Sequence, residues 1–370
     1  MRPGMPLLLD LLRGQASIHD GSERDWLAVL DLAEQENILP WTAALLRAMP
    51  DVRPFPQLGQ RLREIHRDAQ ISAFFWASAL RSILTDFHDR GIPVVVLKGP
   101  WLTERLCGDA ALRPCCDLDL LVRPQDVIQA ETLLADLGFS PRRLRDDHER
   151  PWRRGAVTVD LHHDVEHPLA FNFDVQRAWE RTEPSPFHGV PARLLSPADE
   201  LVFLCLHSAR HCFERLSHVL DLTFAFRSLP APPAGSHAER NSEITSVLAL
   251  GEAMAARLDP RGAKTMSADT GSRNRRHLEE LADQLWLERI TRPCASVDWR
   301  AKHEFYLRME THRARRFFRR LRHGRILLDR LIDADFAFAE RFHLRQRWQV
   351  WLLRPVRLLF HVGRASPSPP

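Results

Sequence analysis

The sequence predicts an α+β fold, with a short sheet-bearing unit between a helical N-terminal quarter and a helical C-terminal half. Two observations predict it. Apolar residues recur at helical spacing on both sides of the middle, and three short strand-like runs crowd between residues 92 and 162. From Glu23 to Met49 the apolar positions Trp26, Leu27, Leu30, Ala33, Ile38, Trp41 and Leu45 predict helix, broken near Pro40. Gln57 to Arg90 continues as helix, with Ile65, Ile71, Phe74, Phe75, Ala79, Leu80, Ile83, Leu84 and Phe87 expected on the buried face and Gly91 ending it. Ile92 to Leu97 is a continuous β-branched apolar run closed by Gly99, which predicts a buried strand. Trp101 to Leu106 reads as a short helix, Gly108 to Cys116 as a loop and Asp117 to Val122 as the second strand. Pro124 opens a helix through Val127, Ile128, Ala130, Leu133, Leu134 and Leu137, closed by Gly138. Arg142 to Arg154 reads as a polar, basic loop, and Val157 to His162 as the third strand.

Pro184, Pro186, Pro191 and Pro197 then space out a connection, after which helices return. One opens at Ser196 and runs through Leu201, Leu204, Ala209 and Phe213; another follows through Leu216, Val219, Leu220, Leu222 and Phe226. Leu229 to Ser242 and Asp259 to Arg275 are expected loops, helices resume beyond them, and Ala365 to Pro370 is expected to be disordered. The expected division is a helical region at 1–90, an α/β core at 91–195, a helical domain at 196–364 and a tail at 365–370.

Length and composition set bounds. A chain of 370 residues with 44% hydrophobic and 27% charged residues fits a soluble globular protein large enough for two or three packed units. Met1 to Arg13 has no signal-peptide pattern, and no stretch reaches the roughly 20 apolar residues of a membrane span. Six cysteines without C-x-x-C spacing fit reduced thiols in a cytoplasmic protein. The net charge of +4 hides an asymmetry: Arg300 to Arg364 carries 17 Lys+Arg against 6 Asp+Glu, or +11, leaving −7 for the rest. Lys98, Lys264 and Lys302 are the only lysines, so a lysine directly before a glycine turn stands out as a compact charge suited to a phosphate.

The chemistry concentrates on three aspartates. Alternation along a strand puts Asp117 and Asp119 on one face, about 6–7 Å apart. Flanking Leu118, Leu120, Leu121 and Val122 imply burial, where two like charges repel unless a cation joins them. Mg²⁺ takes one or two protein carboxylates plus phosphate oxygens, which suits this pair. Asp160 shares a strand face with Thr158 and His162 and would complete the set, against an alternative in which it pairs with a nearby arginine. Gly99 lets backbone N–H groups approach a phosphate, although Lys98-Gly99 lacks P-loop spacing, and Arg113 is placed to reach a triphosphate. Asp333-Ala334-Asp335 has the same spacing without the glycine turn, in helical surroundings, and reads as a solvated surface pair. His207 and His211 stand one helical turn apart near Cys205, Cys212, His218 and Asp221; this spacing suits zinc, but no H-E-x-x-H or paired-cysteine pattern accompanies it, and a cleft-lining or core pair is the preferred reading. The same preference holds for His162, His163 and His167. The basic segment with Arg313, Arg315, Arg316, Arg319, Arg320, Arg322 and Arg325 around Phe317-Phe318 suggests RNA or an anionic membrane surface, as does the tail Trp348 to Val362. A solvated helical face packed on its apolar side is the preferred reading.

Val94 to Gly99, Gly108 to Pro114, Asp117 to Val122 and Val159 to His162 together resemble an uncharacterised bacterial nucleotidyltransferase-like family of the polymerase-beta-type superfamily. The helical segment with His207, His211 and Asp221 resembles that family's C-terminal half. The resemblance implies a small mixed β-sheet core flanked by helices, Mg²⁺ on Asp117 and Asp119, and Asp160 as the third carboxylate, ligating a second metal or activating the acceptor. It also implies that Gly99 lies in the phosphate turn, with Lys98 and Arg113 toward the nucleotide. Two departures stand out: Pro100 follows the glycine and has no N–H to donate, and Cys107 precedes Gly108 where relatives carry an aromatic. The expectation is an Mg²⁺-dependent enzyme that moves a nucleotidyl group from a nucleoside triphosphate, ATP by preference, to a hydroxyl of a small molecule, sugar or protein. The alternatives are a catalytically idle nucleotide-binding or scaffold protein in a biosynthetic complex, and an RNA-directed nucleotidyltransferase.

Overall fold

A computed structural model describes residues 1–49, 55–142, 148–165, 171, 173–230, 241–260, 272–292, 299–310, 319, 335 and 349–354. The chain opens with helices α1 (Met5–Leu12), α2 (Glu23–Gln35), α3 (Leu39–Ala48) and α4 (Pro56–Asp89). Ser22 starts α2 with a reciprocal cap: its Oγ accepts the Asp25 N–H at 3.3 Å, and the Asp25 carboxylate accepts the Ser22 N–H at 2.9 Å. The sheet follows as β1 (Val95–Val96), β2 (Leu118–Leu121), β3 (Ser140–Pro141), β4 (Glu149–Arg154), β5 (Val157–His162), β6 (Glu183–Pro184) and β7 (Arg193–Leu194). Between them lie α5 (Pro100–Cys107), α6 (Val127–Asp136) and α7 (Val175–Glu180). Helices α8 (Pro197–Arg210), α9 (Leu216–Ser228), α10 (Ser242–Leu258), α11 (Ser272–Thr291) and α12 (Trp299–Arg308) complete the described elements. The protein has an α+β fold.

Among the described residues the strands form one seven-stranded mixed sheet in the order β3-β4-β5-β2-β1-β7-β6. β2 runs antiparallel to β1 and parallel to β5. Its register with β5 pairs Leu118 with Val159, Asp119 with Asp160, Leu120 with Leu161 and Leu121 with His162. Paired residues point to the same side, so the sheet has two distinct faces. One carries Val94, Val96, Leu118, Leu120, Val122, Val159 and Leu161 and packs on Trp76, Leu80, Ile83, Leu84 and Phe87 of α4 and on Val127, Ala130, Leu133 and Leu134 of α6. Val95, Leu97 and Leu121 join the other buried cluster, which includes Leu201, Phe203 and Leu204 of α8 and Val219 and Leu222 of α9. Asp119 and Asp160 lie on that second face, toward the C-terminal helices.

Glu36, fully buried after α2, ties distant parts of the chain together. Its carboxylate bonds Arg2, Arg289 of α11 at 2.9 Å and the backbone N–H of Leu216 at 2.9 Å.

Several expectations need correction. The segment read as a loop from Arg142 to Arg154 contains β4, which pairs antiparallel with β5 along its whole length. The proline-spaced connection carries β6 and β7. On α4, Ile71, Phe74 and Phe75 are 62%, 76% and 41% exposed, because Trp76 supplies the core contact and the packed stripe passes on the other side of the helix. Asp335 is buried and pairs with Arg354 at 3.7 Å rather than lying on a solvated surface. Asp333, the loop at 261–271, the tail at 365–370, Phe317, Phe318 and all the singled-out C-terminal arginines except Arg319 lie outside the described residues. Arg319 is buried and bonds Glu310 at 2.8 Å. Among the described residues no helix is long and apolar enough to cross a membrane.

Candidate active site

The site is built where β1, β2 and β5 end beside α8. Backbone bonding fixes the strand ends: Leu97 N–H donates to Asp119 O at 2.9 Å, holding the exit of β1 against β2. The chain then turns at Gly99, whose φ of 90° and ψ of −156° belong to a region that is essentially glycine's alone. Pro100 begins α5 at a first-turn position, where its lack of an N–H costs no helical bond. The turn sends the Lys98 side chain back over the sheet, where it is nearly fully buried.

Asp119 is the electrostatic centre. Its Oδ1 meets His162 Nε2 at 3.1 Å, while its Oδ2, which makes no hydrogen bond, faces Lys98 Nζ at 3.3 Å. Burial alone would raise this carboxyl's pKa; Lys98 and His162 outweigh it and hold the group ionised well below the usual carboxylate range. Asp117, two residues earlier, is half-buried, takes a hydrogen bond from the Cys116 thiol and is shifted upward by burial and by the Asp119 charge. Asp160 stands beside Asp119 in the β2–β5 register. Its Oδ1 is buried without a hydrogen-bond partner, and its pKa is pushed up to about 7 by burial and by the charges of Asp119, Glu149 and Asp117. The three sequence-predicted carboxylates thus come to one face, with Lys98 among them.

A second ring of polar side chains supports this centre, and most of it is not legible from the sequence. His162 is buried, and its Nδ1 lies 3.5 Å from Glu149 Oε2 on the neighbouring strand β4. Burial opposes protonation of this ring, but the Asp119 hydrogen bond and the Glu149 charge prevail and raise its pKa. Arg210, in the last turn of α8, donates to Glu149 at 3.3 Å and to His148 Nε2 at 3.0 Å. Glu149 is depressed to about 2, since Arg210 and His162 outweigh its burial. The signal that finds Glu149 is the alternation of β4 against β5, which a loop assignment hides.

From α8 and α9 a histidine cluster closes over Lys98. Lys98 Nζ lies 3.2 Å from His207 Nε2, and the rings of His207, His211 and His218 have centroids 4.7, 5.8 and 5.1 Å apart. Burial, followed by the charge of Lys98 at His207 and of the cluster itself at His218, drives both rings well below the ordinary histidine pKa, so they are neutral. Among the described residues no group of three or more His, Cys, Asp or Glu side chains is arranged to hold a metal ion. Arg113 pairs through Nε with both oxygens of Asp221 on α9, at 2.8 and 3.1 Å. Arg113, Pro114, Cys115 and Pro100 also line a cavity of about 380 Å³ whose other walls are Glu34, Asn37, Arg61, Asp68 and Ser72 of the N-terminal helices and their connections.

A turn-and-carboxylate sheet of this kind agrees with the comparison by family. Residues 22–255 match the model of a family described as uncharacterised nucleotidyltransferase, and the chain belongs to that family. It is a nucleotidyltransferase by class. Among solved structures it is similar to ANT(2'')-Ia in complex with adenylyl-2''-tobramycin, at 17% identity and a TM-score of 0.34, over 47% of this chain and 95% of that one. The solution structure of the antibiotic-resistance factor ANT(2'')-Ia is similar at 13% identity and a TM-score of 0.29, over 57% of this chain and 92% of that one. No curated protein matches the chain.

Proposed function

We propose that the enzyme transfers a nucleotidyl group from a nucleoside triphosphate, ATP by preference, to a hydroxyl group of a small molecule, with Mg²⁺ held by Asp117, Asp119 and Asp160. The observation that supports this reading most is the side-by-side register of Asp119 and Asp160, with Asp117 on the same strand face and the Gly99 turn next to them. The donor chemistry suits a hard divalent cation, although the three carboxylates do not stand close enough here to form a ready-made metal cluster and the ion would have to draw them together. All are carboxylate oxygens, Oδ1 of Asp160 is buried without a hydrogen-bond partner, and the raised pKa of Asp160 reflects burial first and then the neighbouring negative charges. The bound ion would neutralise charge on the phosphates.

The chain's own residues then have distinct tasks. The acceptor oxygen forms a bond to the α-phosphorus as the bond from that phosphorus to the oxygen bridging the β-phosphate breaks, and pyrophosphate leaves. Asp160, beside Asp119 in register and with a buried oxygen that makes no hydrogen bond, either completes the cation site or takes the hydroxyl proton. Lys98 and the Gly99 turn face the triphosphate, and Arg113 is held in place by Asp221. Arg113 also borders the 380 Å³ cavity, which is of a size to receive one sugar-like or nucleoside-like group and is the candidate acceptor pocket. Its walls mix apolar residues with an amide, a hydroxyl and the charged Glu34, Arg61, Asp68 and Arg113, which suits a polar acceptor.

Asp119→Asn is the direct test. Transfer of label from α-³²P-ATP to candidate acceptors should disappear in this variant while its circular dichroism stays that of the wild type; wild-type turnover would reject the mechanism. One observation favours the idle-binding alternative, namely that Lys98 already neutralises Asp119. Calorimetry with ATP, with and without Mg²⁺, separates the two: binding that is indifferent to Mg²⁺, together with no transfer to any acceptor, would favour the alternative.

A further inference from the structure

Each oxygen of the Asp119 carboxylate has a different neighbour, and the difference is built by the fold. Oδ1 is bound by His162 Nε2 at 3.1 Å; Oδ2 is buried and turns toward Lys98 Nζ at 3.3 Å. The histidine is backed by a carboxylate that it faces without a hydrogen bond. It is buried at the end of β5, pairs in register with Leu121 on one side and Glu149 on the other, and its second nitrogen faces Glu149 Oε2 at 3.5 Å. Glu149 is anchored in turn by Arg210 at 3.3 Å, from a different element, α8. The result is a continuous line of polar groups, Asp119–His162–Glu149–Arg210, crossing β2, β5, β4 and α8.

An aspartate carboxylate rotates about its terminal bond at little cost, so a carboxylate at a cation site needs something to stop it. Among the described residues nothing else hydrogen-bonds the Asp119 carboxylate. Its other partner, Lys98, sits on a long stem and meets the oxygen that a cation would take. We infer that His162, oriented by Glu149, is the positioning residue of the site: it pins Oδ1 of Asp119 so that Oδ2 is presented to the divalent cation. Arg210 keeps Glu149 in place as the far anchor. This inference rests on the reading of Asp119 as a cation ligand.

The test is Mn²⁺ binding by the full-length protein, read by electron paramagnetic resonance titration of free Mn²⁺ and paired with thermal melting of each variant. Removing the ring nitrogens with His162→Leu should weaken Mn²⁺ binding by about 10–100-fold, the usual effect of losing an outer partner of a metal ligand. His162→Gln places an amide N–H where Nε2 stood and should recover binding to within several-fold of the wild type. Glu149→Gln keeps the shape but not the charge and should weaken binding several-fold in a protein that still melts cooperatively, at a lower temperature because Arg210 loses its counter-ion. A folded His162→Leu protein with wild-type Mn²⁺ affinity overturns the inference. Should His162→Leu fail to fold, Glu149→Gln decides, and wild-type affinity there overturns it as well. Asp119→Asn separates this from the underlying reading. If that variant also binds Mn²⁺ like the wild type, the cation site itself is wrongly placed; if it loses binding while His162→Leu does not, the positioning role alone fails.

Discussion

His207 and His218 are buried neutral rings beside a lysine, and this has a calculable effect on stability. Both pKa values are lowered in the fold, while the unfolded chain titrates near 6.5. Below that pH the unfolded state takes up protons that the folded rings refuse, so stability is fully present above about pH 6.5 and falls as the medium is acidified. Each ring contributes a slope of up to about 1.4 kcal/mol per pH unit. Lys98, His211, Arg210, Arg113 and Arg215 all oppose charging of these rings. Asp160 and His162, whose pKa values are raised, act in the opposite sense over the same range, so the test is a difference between proteins: His218→Phe should gain in melting temperature relative to the wild type between pH 7 and pH 5, and an unchanged pH profile in that variant would refute the assignment. Among single residues, Asp117, Asp119 and Asp160 were legible because strand alternation sorts carboxylates by face. Glu149 and Arg210 were not, since their meaning depends on which strand and which helix lie beside β5.

At the scale of elements, the Gly99 turn is the feature most open to test. A Cβ added there would meet Leu118 Cδ2 at 3.6 Å and Asp117 O at 3.9 Å, which is ordinary contact. Space is therefore not the obstacle; the backbone angle is. Gly99→Ala should cost about 1–3 kcal/mol of stability, read as a lower midpoint in urea, and should shift the adjoining Lys98 enough to impair transfer. Unchanged stability would show that the turn relaxes. The sequence announces this turn because a continuous β-branched run precedes it. β4 gave no such notice: Glu-Arg-Pro-Trp-Arg-Arg has a single buried apolar side chain, Trp152, and no apolar alternation. β3, β6 and β7 are two residues long, too short to carry a period, whereas β1, equally short, lies inside the apolar run from Ile92 to Leu97 that marks it. On α4 the excess of apolar residues made two faces plausible, and only the sheet decides which one is covered.

Over the whole molecule, Glu36 joins the first residues of the chain to α9 and α11. Glu36→Leu would take the carboxylate away from two buried guanidinium groups, those of Arg2 and Arg289. A loss on the order of 3–5 kcal/mol is expected, seen in urea as a lower midpoint with an unchanged slope; a midpoint equal to the wild type's would contradict it. The same architecture seats the carboxylate face of the sheet against the C-terminal helices, so the candidate site belongs to the sheet and to α8 and α9 together.

Lys98 draws one more consequence from this seating. Because its ammonium group already serves as the counter-ion of Asp119, a metal of the kind proposed would not fill an empty seat but would change places with a resident charge. Its apparent affinity would measure the difference between two ion pairs, and the displaced lysine would be at liberty to follow the phosphates.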